Sequence, residues 1–188
     1  MANYDENKKF ANATPEDIEA IIDEIAKGKD PQTKTDGKII GTLVEKLFKG
    51  ECAIRDILGL DDKQMNGLYA MGYNFYQGGK YDDALKTFRA LCLFDQLEPK
   101  HWLGLGATLQ MMKKYEEAAN AYGFAAVMDC HDPRPSFHAA ECYIALNDKE
   151  KAEAALNTVI ELCPEDIPEN KPFVDKAKAI LELMNGKK

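Results

Sequence analysis

The 188-residue chain has no C-x-x-C pair, no basic cluster and no apolar run of the roughly 18 residues that a membrane-spanning helix needs. Each absence excludes a class of function. Five cysteines, at 52, 92, 130, 142 and 163, lack paired spacing, so they read as buried reduced thiols rather than as a disulfide framework or a zinc site. The opening MANYDENKKF has no apolar h-region, so neither a secretory signal nor direct membrane insertion is expected, and the chain is placed in the cytosol. A net charge of −8, with no clustered Lys and Arg to displace counterions, argues against nucleic acid as a partner. What remains, 45% hydrophobic and 30% charged residues, suits one folded unit with a sizeable core.

Within that unit the sequence repeats every 34 residues. Gly72 falls on Gly106 and then on Ala140; Ala84 on Ala118 and Ala152; Phe88 on Tyr122; Pro99 on Pro133. Three units follow, at 65–98, 99–132 and 133–166. A period of this length marks helix hairpins that bury their apolar faces only by stacking, and W-x2-L-G-x2-Y with a later A-x3-F is the tetratricopeptide pattern. Trp102, Leu105, Gly106, Leu109, Ala118 and Tyr122 carry it here. Small residues at 72, 106 and 140, and at 84, 118 and 152, let the two helices of each hairpin cross closely. Gly78-Gly79 and Asn147-Asp148 separate the helices of the first and third pairs, and Asp132-Pro133 supplies a cap followed by proline in the first turn. The expected fold is all-α, a solenoid of three hairpins.

Flanking segments complete it. After Pro172 the run FVDKAKAILELM is an amphipathic helix suited to cover the last hairpin, within a capping region at 167–188. Residues 1–36 hold a helix that opens at Thr14-Pro15 and then the polar linker GKDPQTKTDG. Residues 37–64 hold the helical KIIGTLVEKLFKG, and Asp61 with Gln64 forms a capping box before the first repeat.

The repeat also sets rotational phase. Unit positions 4, 7, 8 and 11 of each first helix face its partner helix, so positions 5, 9 and 12 face the concave wall. Those positions are Tyr69, Tyr73 and Tyr76 in the first unit, Leu103, Ala107 and Gln110 in the second, and Phe137, Glu141 and Ile144 in the third. Rings at spacings of four and three are neighbours on a helix surface. Tyrosine offers large, stiff contact area with a hydroxyl able to meet peptide backbone. The wall therefore fits an extended apolar segment, with Gln110 and Glu141 orienting its backbone.

Beyond the repeat, LYAMGYNFYQGGKYDDA from Leu68, FRALCLFD with Cys92 and Asp95, WLGLGA from Trp102, DPRPSFHAAECY from Asp132 and AIRDILGLDDKQMNGLYA from Ala53 resemble the class II chaperones of type III secretion. These are tetratricopeptide proteins that keep hydrophobic pore-forming translocators soluble in the bacterial cytosol. The resemblance covers about residues 40–166. It implies a non-enzymatic chaperone, without cofactor, whose groove holds a proline-bounded extended motif near the N-terminus of a translocator. Tyr69, Tyr73, Tyr76, Leu103 and Phe137 are the groove positions it carries over. It also implies handling of two translocators and a homodimer formed through N-terminal helices, although the acidic first 36 residues depart from the family pattern.

The competing readings lack their chemistry. A tetratricopeptide scaffold or adaptor that clamps an acidic C-terminal tail needs Lys, Arg or Asn on the wall, where this chain has Tyr69, Tyr73, Leu103, Ala107 and Glu141. For an enzyme or a metal, His138 with Cys142 and Cys130 with His131 are the imaginable pairs, but neither has the convergent third group that a catalytic thiol or zinc requires. His101 beside Trp102 reads as packing between hairpins.

Overall fold

The computed structural model describes residues 53–164 and 167–186, and every regular element among them is helical. A short α1 (Ile54–Ile57) precedes three antiparallel pairs: α2 (Asp62–Gln77) with α3 (Tyr81–Phe94), α4 (Pro99–Met111) with α5 (Tyr115–Met128), and α6 (Pro133–Ala145) with α7 (Lys149–Leu162). Helix α8 (Lys171–Met184) closes the stack. The helix expected after Thr14, the linker, the 38–50 segment and any contact made through them lie outside the described residues.

Local chemistry sets the helix ends. Asp61 accepts from the Gln64 backbone N–H at 2.7 Å, and the Gln64 side chain accepts from the Asp61 N–H at 2.9 Å, so two orphan donors of α2 are satisfied reciprocally. Asp132 caps α6 by accepting from Arg134 N at 2.9 Å, with Pro133 in the first turn. Each hairpin turns through one left-handed residue, Gly79, Lys113 and Asn147, with φ of 71°, 60° and 58°. Gly79 and Asn147 are turn residues in the sequence; Lys113 carries no such signal.

Close crossing explains the small residues. A Cβ on Gly106 would lie 2.7 Å from Cδ1 of the Tyr122 ring, nearer than side-chain atoms approach. One repeat earlier, a Cβ on Gly72 would meet Thr87 Cγ2 at 3.1 Å and Phe88 Cζ at 3.3 Å. In the third unit Ala140 and Leu156 hold the corresponding positions, both fully buried in one cluster. Phe88 and Tyr122 are among the largest buried side chains, each contributing about 2–3 kcal/mol of burial. Gly104 sits over the Phe88 ring as well, which joins the first hairpin to the second.

The core phase read from the repeat holds in the second and third units, where Leu105, Gly106, Leu109, Ala139 and Ala140 are buried. Met71, expected against the partner helix, is instead 43% exposed. Among the described residues no helix pair precedes α2 to cover it. At that same end Arg55 of α1 bonds Asp62 and reaches Asp95 Oδ2 at 3.1 Å, tying the entry of the chain to both ends of the first hairpin.

Candidate functional site

Helices α2, α4 and α6 stand side by side as the first members of their pairs. Lys100 Nζ on α4 donates to Asn66 Oδ1 on α2 at 3.4 Å, and Gln110 Nε2 on α4 donates to Glu141 Oε2 on α6 at 3.3 Å. Their common face is the wall that the repeat phase selects.

The three tyrosines are not equivalent. Tyr73 is 48% exposed, and its phenol oxygen accepts from Gln77 Nε2 at 2.9 Å. Tyr69 is half-buried, edge-on to Phe88 at 5.7 Å and tilted 6.1 Å from the His101 ring, with Lys100 Nζ 5.8 Å from its centroid. Tyr76 is half-buried and edge-on to Tyr81 at 5.9 Å. Burial pushes the phenol pKa of both Tyr69 and Tyr76 up, so each stays a neutral donor. One ring stands free between two that are partly built into the hairpin. None is sealed between paired helices.

On α4, Leu103, Ala107 and Gln110 are half-buried; on α6, Glu141 is half-buried and Ile144 is 43% exposed. Phe137 departs from the groove position assigned to it. It is 5% exposed, and its ring meets Phe173 of α8 edge-on at 5.5 Å. The closing helix lies against α6 where a further repeat would place its first helix, so Phe137 supports the wall from within.

Polar contacts on this wall form one connected chain. Tyr122, 1% exposed, donates its hydroxyl to Gln110 Oε1 at 2.7 Å. That contact fixes the Gln110 amide so that Nε2 points at Glu141. His138 Nδ1 donates to the same Glu141 oxygen at 2.8 Å, while its ring lies 5.5 Å from the Tyr122 ring and 6.4 Å from Phe173. The bond from His138, reinforced by Gln110, holds the Glu141 carboxyl below its ordinary range despite partial burial. The repeat reading identified Gln110 and Glu141 but not the link from Tyr122, because the pattern assigns position 122 to the core.

Two cations at the start of α4 and α6 are already engaged with carboxylates. Arg134 forms a bidentate pair with Asp132 at 2.7 to 3.0 Å, and Lys100 is 3.6 Å from Glu98. A hollow of about 300 Å³ lies off the wall at the N-terminal ends of α2 and α4, lined by Arg55, Asp62, Glu98 and Lys100 among others, both signs together. Cys142 is buried, its thiol pushed up to about 12 by desolvation, while its neighbour His138 turns to Glu141. Cys130 is exposed with Sγ 3.5 Å from His131 Nδ1. Among the described residues no group of three His, Cys, Asp or Glu is placed to hold a metal, and no helix is long and apolar enough to cross a membrane.

Comparison with known proteins places these features in a family. Tetratricopeptide repeat profiles match residues 65–96, 99–132 and 136–166. Low calcium response locus protein H of Yersinia pseudotuberculosis is 36% identical over 157 residues, covering 84% of this chain and 93% of that protein. The Yersinia enterocolitica type III secretion translocator chaperone SycD superposes with a TM-score of 0.65 at 37% identity, over 70% of this chain and 98% of that one. PcrH of Pseudomonas aeruginosa, solved in complex with the chaperone binding region of PopD, gives a TM-score of 0.64 at 40% identity, over 69% and 96% of the two chains.

Proposed function

As the chain belongs to the tetratricopeptide repeat family of type III secretion translocator chaperones, we propose that it holds hydrophobic translocator proteins in the bacterial cytosol through the concave wall of α2, α4 and α6. A translocator exposes membrane-seeking apolar surface. Sequestering one stretch of it lowers the free concentration available for aggregation or premature insertion, by mass action and without covalent chemistry. The contacts assigned to an extended client segment are Tyr69, Tyr73, Tyr76, Leu103 and Ala107, with Gln110 and Glu141 as its polar partners. The chain acts by binding and is assigned no catalytic step.

The observation that carries this reading is the exposed Tyr73 ring between two half-buried phenols, in a chain that shares its fold with a relative solved in complex with the chaperone binding region of PopD. An amphipathic ring with few rotatable bonds loses little entropy on contact, which suits reversible capture. The net charge of −8 favours solubility of the loaded complex. Co-expression with candidate translocators that carry apolar membrane-active segments, followed by affinity purification, tests the role. A translocator that co-purifies with the wild type and not with the Tyr73→Ala variant supports it; co-purification indifferent to every wall residue overturns the site.

A further inference from the structure

Glu141 asks more of a client than apolar contact. Its two hydrogen bonds, from His138 at 2.8 Å and from Gln110 at 3.3 Å, both fall on Oε2, and Oε1 accepts none among the described residues. The carboxylate has little freedom to turn away, because Gln110 is anchored to the buried Tyr122 hydroxyl and His138 is flanked by the rings of Tyr122 and Phe173. Its side chain is 41% exposed, on a wall otherwise built from Tyr73, Leu103, Ala107 and Ile144. An apolar segment laid over that wall strips water from Oε1, and Lys176 of α8, whose charge favours the ionised carboxylate through space, makes no ion pair with it among the described residues. Binding then carries the desolvation penalty of a buried charge unless the segment brings a countercharge.

Building on the groove reading, we propose that Glu141 is a specificity-determining residue that selects client segments bearing a lysine or arginine beside their apolar anchors. A backbone N–H satisfies Oε1 only in part, since it neutralises no charge, and Gln110 already offers neutral amide chemistry next to it. An ammonium or guanidinium group supplies both the hydrogen bond and the countercharge. The carboxylate also works against the wrong ligand, because an acidic side chain placed there meets like charge. Specificity of this kind is a difference of affinities and draws on both effects.

The test uses the full-length protein and labelled twelve-residue peptides in which two leucines lie between two prolines. A single lysine is moved along the peptide, with glutamine at the same place as the control, and Kd is read by fluorescence anisotropy. One lysine register is expected to bind about tenfold tighter than its glutamine twin. That ratio should fall to about one in Glu141→Gln and lessen with added salt. In Glu141→Lys the preference should pass to the glutamate version of the same peptide, and far-UV circular dichroism of both variants checks that they fold. A flat lysine series, or a preference that survives Glu141→Gln, overturns the inference while peptides that still bind through Tyr73 leave the groove reading standing. Failure of every peptide to bind overturns both.

Discussion

Lys113 holds the left-handed backbone that Gly79 holds one repeat earlier, with φ of 60° against 71°. Glycine has no Cβ to clash in that region, whereas lysine does. The turn forces the conformation in both cases. Lys113 N donates to Gln110 O at 2.9 Å and Lys114 N to Leu109 O at 2.9 Å, as Gly79 N does to Tyr76 O and Lys80 N to Phe75 O. Lys113→Gly is therefore expected to raise stability by about 0.5–1 kcal/mol, and Gly79→Ala to lower it by about 1 kcal/mol. Urea denaturation midpoints check both, with an unchanged m-value marking an effect on stability alone.

A pair of glycines in one hairpin separates close approach from helix propensity. Gly106→Ala puts a methyl 2.7 Å from the Tyr122 ring, which the hydroxyl bond to Gln110 holds in place, so overpacking of about 1–3 kcal/mol is expected. Gly123 lies within α5 with nothing inside 4 Å of an added Cβ. Gly123→Ala should gain about 0.5–1 kcal/mol from helix propensity. Thermal unfolding of the two variants is expected to shift in opposite directions.

The helices were legible because their determinants are periodic: a shift of 34 residues aligns caps, crossing points and core at once, as Gly72, Gly106 and Ala140 show. Two kinds of feature escaped. Contacts between side chains of different helices leave no periodic trace, so Arg55 with Asp95 and Tyr122 with Gln110 appear only when the helices that carry them are packed together. The ends of a solenoid also break the translational rule. Phe137 occupies a wall position by phase, yet α8 lies over it, while Met71 occupies a core position that no earlier hairpin covers among the described residues.

His101 predicts a pH dependence of stability. The ring is 1% exposed, its Nδ1–H donates to Asp95 O at 3.2 Å, and Nε2 is buried without a hydrogen-bond partner. Desolvation lowers its pKa from the ordinary 6.5, outweighing the nearby Asp95 and Glu98. Below pH 6.5 the unfolded chain takes up the proton before the native chain does, so stability falls as pH drops from 6.5 toward the lower native value. Denaturation midpoints measured from pH 8 downward should show that fall. His101→Gln, which cannot titrate, should flatten it even though the variant is less stable at neutral pH.

The tyrosine wall predicts that stability and binding divide between two residues four apart. Tyr69 packs edge-on against Phe88, so Tyr69→Ala removes buried area and an aromatic contact at a cost of about 1–3 kcal/mol. Tyr69→Phe keeps the ring and should restore most of that stability. Tyr73 is 48% exposed and its hydroxyl bonds the Gln77 side chain of its own helix, so Tyr73→Ala is expected to change stability by less than about 0.5 kcal/mol. If the wall holds an extended client segment, the same Tyr73→Ala change weakens peptide capture by about tenfold or more, because an aromatic anchor near the centre of an interface contributes well over 1 kcal/mol. Parallel denaturation and anisotropy titrations distinguish the two residues. Loss of folding in Tyr73→Ala would assign that ring to the core, whereas intact folding with undiminished capture would move the site off this face.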